Sequence, residues 1–189
     1  MATRSTAKTT KAVRKPTIAV KKSPQRVQPT NRPASARTTT KSVAANDYEG
    51  ARQLLSRYCY ALDRGQLGEL SLLFHREAKF AVSFEGGQKH TGRDTIHAWY
   101  NKFYQGRPGE FRYPRHKLYE PVLTVTGKTA TASTYFDSDF LDPDGKVRII
   151  AGRYDDILVK EREQWFFKDR TITVCYHYSP GKGEEGMKE

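Results

Sequence analysis

His116 is the residue from which chemistry can be argued first. It stands on a stretch where the residue pattern has period two. The next such stretch carries Tyr135, Asp137 and Asp139 on one face. If Gly127-Lys128 is a two-residue hairpin loop, Thr126 pairs with Thr129 and paired residues sum to 255; 255 − 116 = 139, so His116 is expected opposite Asp139. A shifted register with Val125 paired to Lys128 brings Asp137 there instead. In either register a carboxylate faces the imidazole. Such a pair is a general-base unit, because the carboxylate orients the ring, selects its tautomer and raises its basicity. A strand histidine in a surface ion pair is the alternative. Arg153 and Tyr154 follow on the next stretch and are candidates for the pocket mouth or for binding a carboxylate, with structural packing as the other reading.

The elements that position these residues follow from periodicity. Asn46 or Asp47 is expected to cap a first helix whose apolar face is Leu54, Leu55, Tyr58, Ala61 and Leu62, with Gly65 ending it. A short helix spans GQLGELSLLF, and a strand is expected over Ala78–Phe84. Ile96, Trp99, Tyr100 and Phe103 make the core-facing stripe of a third helix, on which Trp99 is also a candidate for contacting a ligand. Four long strands are predicted from there: Tyr113–Val125, Thr129–Leu141, Val147–Lys160 and Trp165–Tyr178. The joints are Thr126-Gly127-Lys128, the Asp142-Pro143-Asp144-Gly145 type I turn, and the charged run Glu161–Gln164. The implied fold class is α+β: a curved antiparallel sheet closed on one side by about three helices, with a cone-shaped pocket between.

Charge divides the chain. Residues 1–46 hold eleven Lys or Arg and no Asp or Glu. Of 33 basic and 21 acidic residues, that leaves 33 − 11 = 22 against 21 in the remainder, so nearly all of the formal +12 lies in this segment. Lacking aromatics and any apolar period, residues 1–46 are expected to form a disordered basic tail. Three roles are open to it: a solvated extension, a sequence-blind arm for weak polyanion binding, or a transit peptide. Residues 179–189 read as a flexible end. Two cysteines, Cys59 and Cys175, make no disulfide framework and point to a reducing, cytoplasmic setting. No apolar run reaches transmembrane length. His75, His90, His97 and His177 lack metal-ligand spacing, and no phosphate or dinucleotide loop is present. Neither metal nor cofactor is therefore expected.

Four phrases sharpen the fold. RYCYALDRGQLGELSLLF, GRDTIHAWY, RHKLYEPVLTVTGKTATA and GRYDDILVKEREQWFFKDR occur in order between Tyr48 and about Thr173. Together they resemble the SnoaL-like branch of the nuclear transport factor 2 superfamily. That resemblance implies a histidine base at His116, as in scytalone dehydratases. It also implies that Tyr58 and Asp63 hold the substrate or leaving oxygen. Five residues apart on a helix, these two stand about 140° from one another, so they share a pocket only if the helix end unwinds or the pocket wraps around it. The base position of ketosteroid isomerases falls at or near Val82, where no carboxylate stands, which shifts the role of base to His116.

The expected function is a cofactor-independent lyase or isomerase, of dehydratase or cyclase type. Its substrate would be a small apolar hydroxy-carbonyl compound. His116, Asp139, Tyr58 and Asp63 would be catalytic; Tyr135, Asp137, Trp99, Tyr154 and Arg153 would contact substrate. The alternatives are a non-catalytic ligand-binding or assembly domain, and a nucleic-acid-associated protein driven by the tail. A homodimer or homotrimer through the sheet is expected.

Overall fold

The apolar stripe of the first helix folds as its spacing requires. In the computed structural model, which describes residues 36–180 and side chains from Ala45 onward, Ala51, Leu54, Leu55, Tyr58, Ala61 and Leu62 are all buried. They lie on α1, Ala36–Asp63. The helix begins well before the expected cap at Asn46 or Asp47. No Pro or Gly interrupts Ala36–Asn46 and several residues there are strong helix formers, so the helix continues back through the segment expected to be tail. The expectations for residues 1–35 and 181–189 lie outside the described residues.

Gly65 ends α1. At φ 65° it occupies the left-handed region, its N–H bonds to the Leu62 carbonyl at 3.0 Å and the Gln66 N–H to that of Ala61 at 2.8 Å. These are the two bonds of a Schellman cap, and they make Asp63 the last residue of the helix proper. Two shorter helices follow, α2 (Leu67–Leu72) and α3 (Arg93–Gln105). Ile96 and Tyr100 of α3 are buried and Trp99 is half-buried.

Seven strands form one sheet: β1 Phe74–Val82, β2 Lys89–Thr91, β3 Arg112–Leu118, β4 Val122–Thr126, β5 Thr129–Leu141, β6 Val147–Glu161 and β7 Gln164–Tyr178. Their order is β2-β1-β7-β6-β5-β3, with β4 also on β5. The expected meander is present as β5, β6 and β7, all antiparallel. β1 joins it in parallel beside β7, which makes the sheet mixed. Among the described residues this is an α+β architecture with three α-helices and a curved, unclosed sheet; α1 packs against β3, β4 and β7. No described helix is long and apolar enough to cross a membrane.

The predicted strand Tyr113–Val125 is two strands, and this correction matters most for the site. The hairpin holds the expected register, with Thr126 opposite Thr129 and Val122 opposite Ser133. Between β4 and β3 the chain passes through Tyr119-Glu120-Pro121, where Pro121 has no N–H for a ladder. Beyond that break the pairing is one residue out of step, with Leu118 opposite Phe136 and His116 opposite Ser138. A shift of one residue turns the other face of β5 toward the same neighbour.

Candidate active site

Because of that shift, no carboxylate of β5 faces His116. Asp139 sits opposite Arg115 instead and accepts hydrogen bonds from Arg115 Nε at 3.0 Å and Nη2 at 2.5 Å, and from Lys117 Nζ at 3.2 Å. The bond from Arg115 holds the Asp139 carboxyl below its ordinary range, against the opposing effect of burial. Asp137 accepts from the Tyr119 hydroxyl at 2.8 Å, Tyr135 is 58% exposed, and Arg153 is tied to Asp155 at 2.9 Å. Asp139, Asp137, Tyr135 and Arg153 therefore lie off the cavity wall, on the face of the sheet turned away from His116. Register, which residue types alone cannot fix, decides this.

The carboxylate that meets His116 comes from α1. Asp63 Oδ1 lies 2.5 Å from His116 Nδ1, and Asp63 Oδ2 accepts the His116 backbone N–H at 3.0 Å. The contact is bidentate and crosses from the helix end to the edge strand. A carboxylate in the last turn of a helix opposes the helix dipole, so this placement costs stability that the two His116 donors offset. The His116 and Asp63 side chains are 9% and 21% exposed. With Nδ1–H donated to Asp63, the imidazole presents its Nε2 lone pair as the basic nitrogen.

His116 lines a cavity of about 100 Å³ between α1, α3 and the concave face of the sheet. Its wall is mostly aromatic and aliphatic: Phe136, Phe140, Trp99, Tyr154 and Val82 are among its residues, and Tyr58, Tyr100 and Ser138 are among those that bring hydroxyls. The two tyrosine oxygens are 2.6 Å apart. One O–H serves that bond, and the other remains for a ligand oxygen. Burial pushes the Tyr58 hydroxyl up to about 12, so it is a donor at neutral pH. The spacing of Tyr100 places it only in a core stripe, and its helical period with Ile96 and Phe103 carries no signal of a hydroxyl pair. Val82, at or near the position that the resemblance assigns to the base of ketosteroid isomerases, stands in the wall as an apolar residue.

Tyr58 and Asp63 do not share the pocket. Tyr58 lines it, and Asp63 reaches His116 from behind. The 140° between them on α1 is thus satisfied without unwinding. Beneath Tyr58, Arg170 and Asp156 form a fully buried bidentate pair at 2.7 and 2.8 Å. The Arg170 guanidinium lies 3.9 Å from the ring centres of Tyr58 and Phe167 and 4.4 Å from that of Tyr154. Burial alone would lower the Arg170 pKa; the adjoining Asp156 carboxylate overrides this and holds it above its ordinary value. Tyr154 stacks on Phe136 at 4.2 Å and 8°. A buried, charged floor thus underlies Tyr58 and Tyr154 of the cavity wall.

Helix-end carboxylate, edge-strand histidine and aromatic hollow on an open curved sheet define a class. Residues 43–171 match the family model of the SnoaL-like domain, and the chain belongs to that family. Solved structures share the fold. One, provisionally named a scytalone dehydratase, from Novosphingobium aromaticivorans, is 23% identical with a TM-score of 0.62, over 76% of this chain and 92% of that one. The hexachlorocyclohexane dehydrochlorinase LinA-type3 of Novosphingobium barchaimii is 15% identical with a TM-score of 0.62, over 76% and 95%. An NTF2-like protein with a cystatin-like fold, also from N. aromaticivorans, is 20% identical with a TM-score of 0.61, over 82% and 96%. No curated protein matches the chain.

Proposed function

We propose that this protein is a cofactor-independent lyase or isomerase acting on a small, mostly apolar hydroxy-carbonyl compound, with His116 as the general base. The observation that carries the reading is the Asp63–His116 bond at 2.5 Å on the wall of an apolar cavity. His116 Nε2 takes a proton from the carbon next to the carbonyl. The electron pair moves onto the carbonyl oxygen, which receives a hydrogen bond from the Tyr58–Tyr100 hydroxyl pair. As the enolate collapses, the β-hydroxyl leaves with the proton returned by the imidazolium, and the net change is loss of water. Return of that proton to a different carbon gives an isomerase. Asp63 orients the ring and stabilises the imidazolium, a role expected of Asp139 from the residue pattern. The names of two structural neighbours describe eliminations, a dehydratase and a dehydrochlorinase, which supports this reaction type.

The test works with simple ketones and does not require the natural substrate. In D₂O the protein is expected to speed exchange of the α-protons of small ketones, followed by proton NMR. His116→Ala should lower that rate by about 10²–10⁴-fold; an unchanged rate removes His116 from the mechanism. The small volume of the hollow favours one second reading, a non-catalytic ligand-binding domain. Ketone binding without exchange in the intact protein would decide for it.

A further inference from the structure

Phe84 lines three voids at once. One is the His116 cavity. The second is an outer cleft of about 640 Å³ whose wall includes Phe140, Ile150, Val174 and His177. The third is a groove of about 590 Å³ beside Glu85, His90, Lys102 and Arg107. Phe84 is 58% exposed, and among the described residues its one aromatic neighbour is Phe103, 6.2 Å away and inclined by 24°. It sits on a single 3-10 turn, Ser83–Glu85, followed by Gly86 and Gly87 at φ 64° and 86°. A ring so lightly packed changes rotamer on the picosecond to nanosecond scale.

The cavity alone is narrow. At about 100 Å³ it holds about three waters of about 30 Å³ each, less than the about 150 Å³ hollow that takes one benzene ring. The cleft adjoins it, with Phe84, Phe140, Ile150 and Val174 between the two and lining both. The register adds a direction. His116 is opposite Ser138, Ser138 opposite Ile150, and Ile150 opposite His177, so one row on the concave face crosses four strands from the imidazole to the far end of the cleft. Three strand spacings of about 4.8 Å make that row about 14 Å long. The groove is the poorer extension for an apolar chain, since Glu85, His90, Lys102 and Arg107 would lose water there. In the cleft the Arg148 guanidinium is already engaged by Asp142 at 2.8 Å and by Ser179.

We propose that Phe84 is the specificity-determining residue of the His116 site, and that the substrate is an elongated uncharged molecule whose carbonyl end lies beside His116 while its apolar tail occupies the cleft toward His177. The inference rests on the function proposed above and supplies its substrate class.

The probes are 2-butanone, 2-hexanone, 2-octanone and 2-decanone, whose methyl end suits the narrow cavity, titrated into the full chain by calorimetry. Affinity should rise about fourfold per added methylene until the cleft is filled. His177→Glu, at the far end of the cleft, should flatten that rise. Phe84→Ala should speed association of every member several-fold in stopped-flow mixing. A flat series, an equal rise in His177→Glu, association rates indifferent to Phe84→Ala, or no binding of any member up to its solubility each overturns the proposal. These readouts are of binding alone, so a flat series together with exchange that depends on His116 discards the substrate class and keeps the chemistry. A rising series with exchange indifferent to His116→Ala does the reverse.

Discussion

Two aspartates compete for the role of partner to His116, and substitution separates them. Asp63→Asn keeps the shape of the helix end but removes the charge that selects the Nδ1–H tautomer. The exchange rate is expected to fall by about 10²-fold or more with the circular dichroism unchanged. Asp139→Asn should leave the rate alone and act on stability instead. Its carboxyl is held low by Arg115, so the ionised form contributes stability above the ordinary carboxylate range, and that contribution is lost as pH falls through the lowered folded value. Thermal unfolding at several pH values, followed by circular dichroism, should show less pH dependence in Asp139→Asn and a lower midpoint at neutral pH. The cysteines give a further check. Cys59 is buried, and burial pushes its thiol up to about 12, whereas Cys175 is exposed. A thiol reagent at neutral pH should titrate one cysteine in the native protein and two in denaturant.

At the level of elements, the cavity depends on close approach within the sheet as much as on the helices. A Cβ at Gly152 would meet the Thr173 carbonyl oxygen at 2.4 Å and the Phe136 ring at 2.6 Å, beside the irregularity that β6 shows between Ala151 and Gly152. Phe136 in turn stacks on Tyr154 and lies 6.1 Å from His116. Gly152→Ala is therefore expected to destabilise the fold by about 1–3 kcal/mol, and to lower the exchange rate by displacing Phe136. Thermal unfolding and the D₂O assay read the two effects separately. Elements were legible where period or turn chemistry is strong: the stripe of α1, the Gly65 stop, the Gly127-Lys128 hairpin, and the long strands β5, β6 and β7. Less legible was the break at Tyr119–Pro121. A single Pro at the edge of a period-two run reads equally well as the end of one strand, and nothing local states that pairing resumes one residue out of step.

For the whole molecule, most of the net charge lies ahead of the described residues. Residues 1–35 contain nine Lys or Arg and no acid. Deleting them should abolish the salt-sensitive part of any DNA binding, measured by anisotropy between low and moderate salt, while leaving the His116 exchange rate unchanged. Equal DNA binding after deletion would assign it to the rest of the chain. The sequence by itself determined the α+β class, the helical and strand faces, the family, and that His116 and Asp63 were residues to watch, because periods, turns and motif words are local and need only neighbouring residues. Tertiary structure alone decided which acid meets the imidazole. It also decided that Asp137, Asp139, Tyr135 and Arg153 leave the cavity, and that Tyr100 and Phe84 enter it. The reason is physical: a helix end and a strand far apart in the chain meet only when the sheet curls around α1, and a one-residue change in pairing exchanges the two faces of a strand.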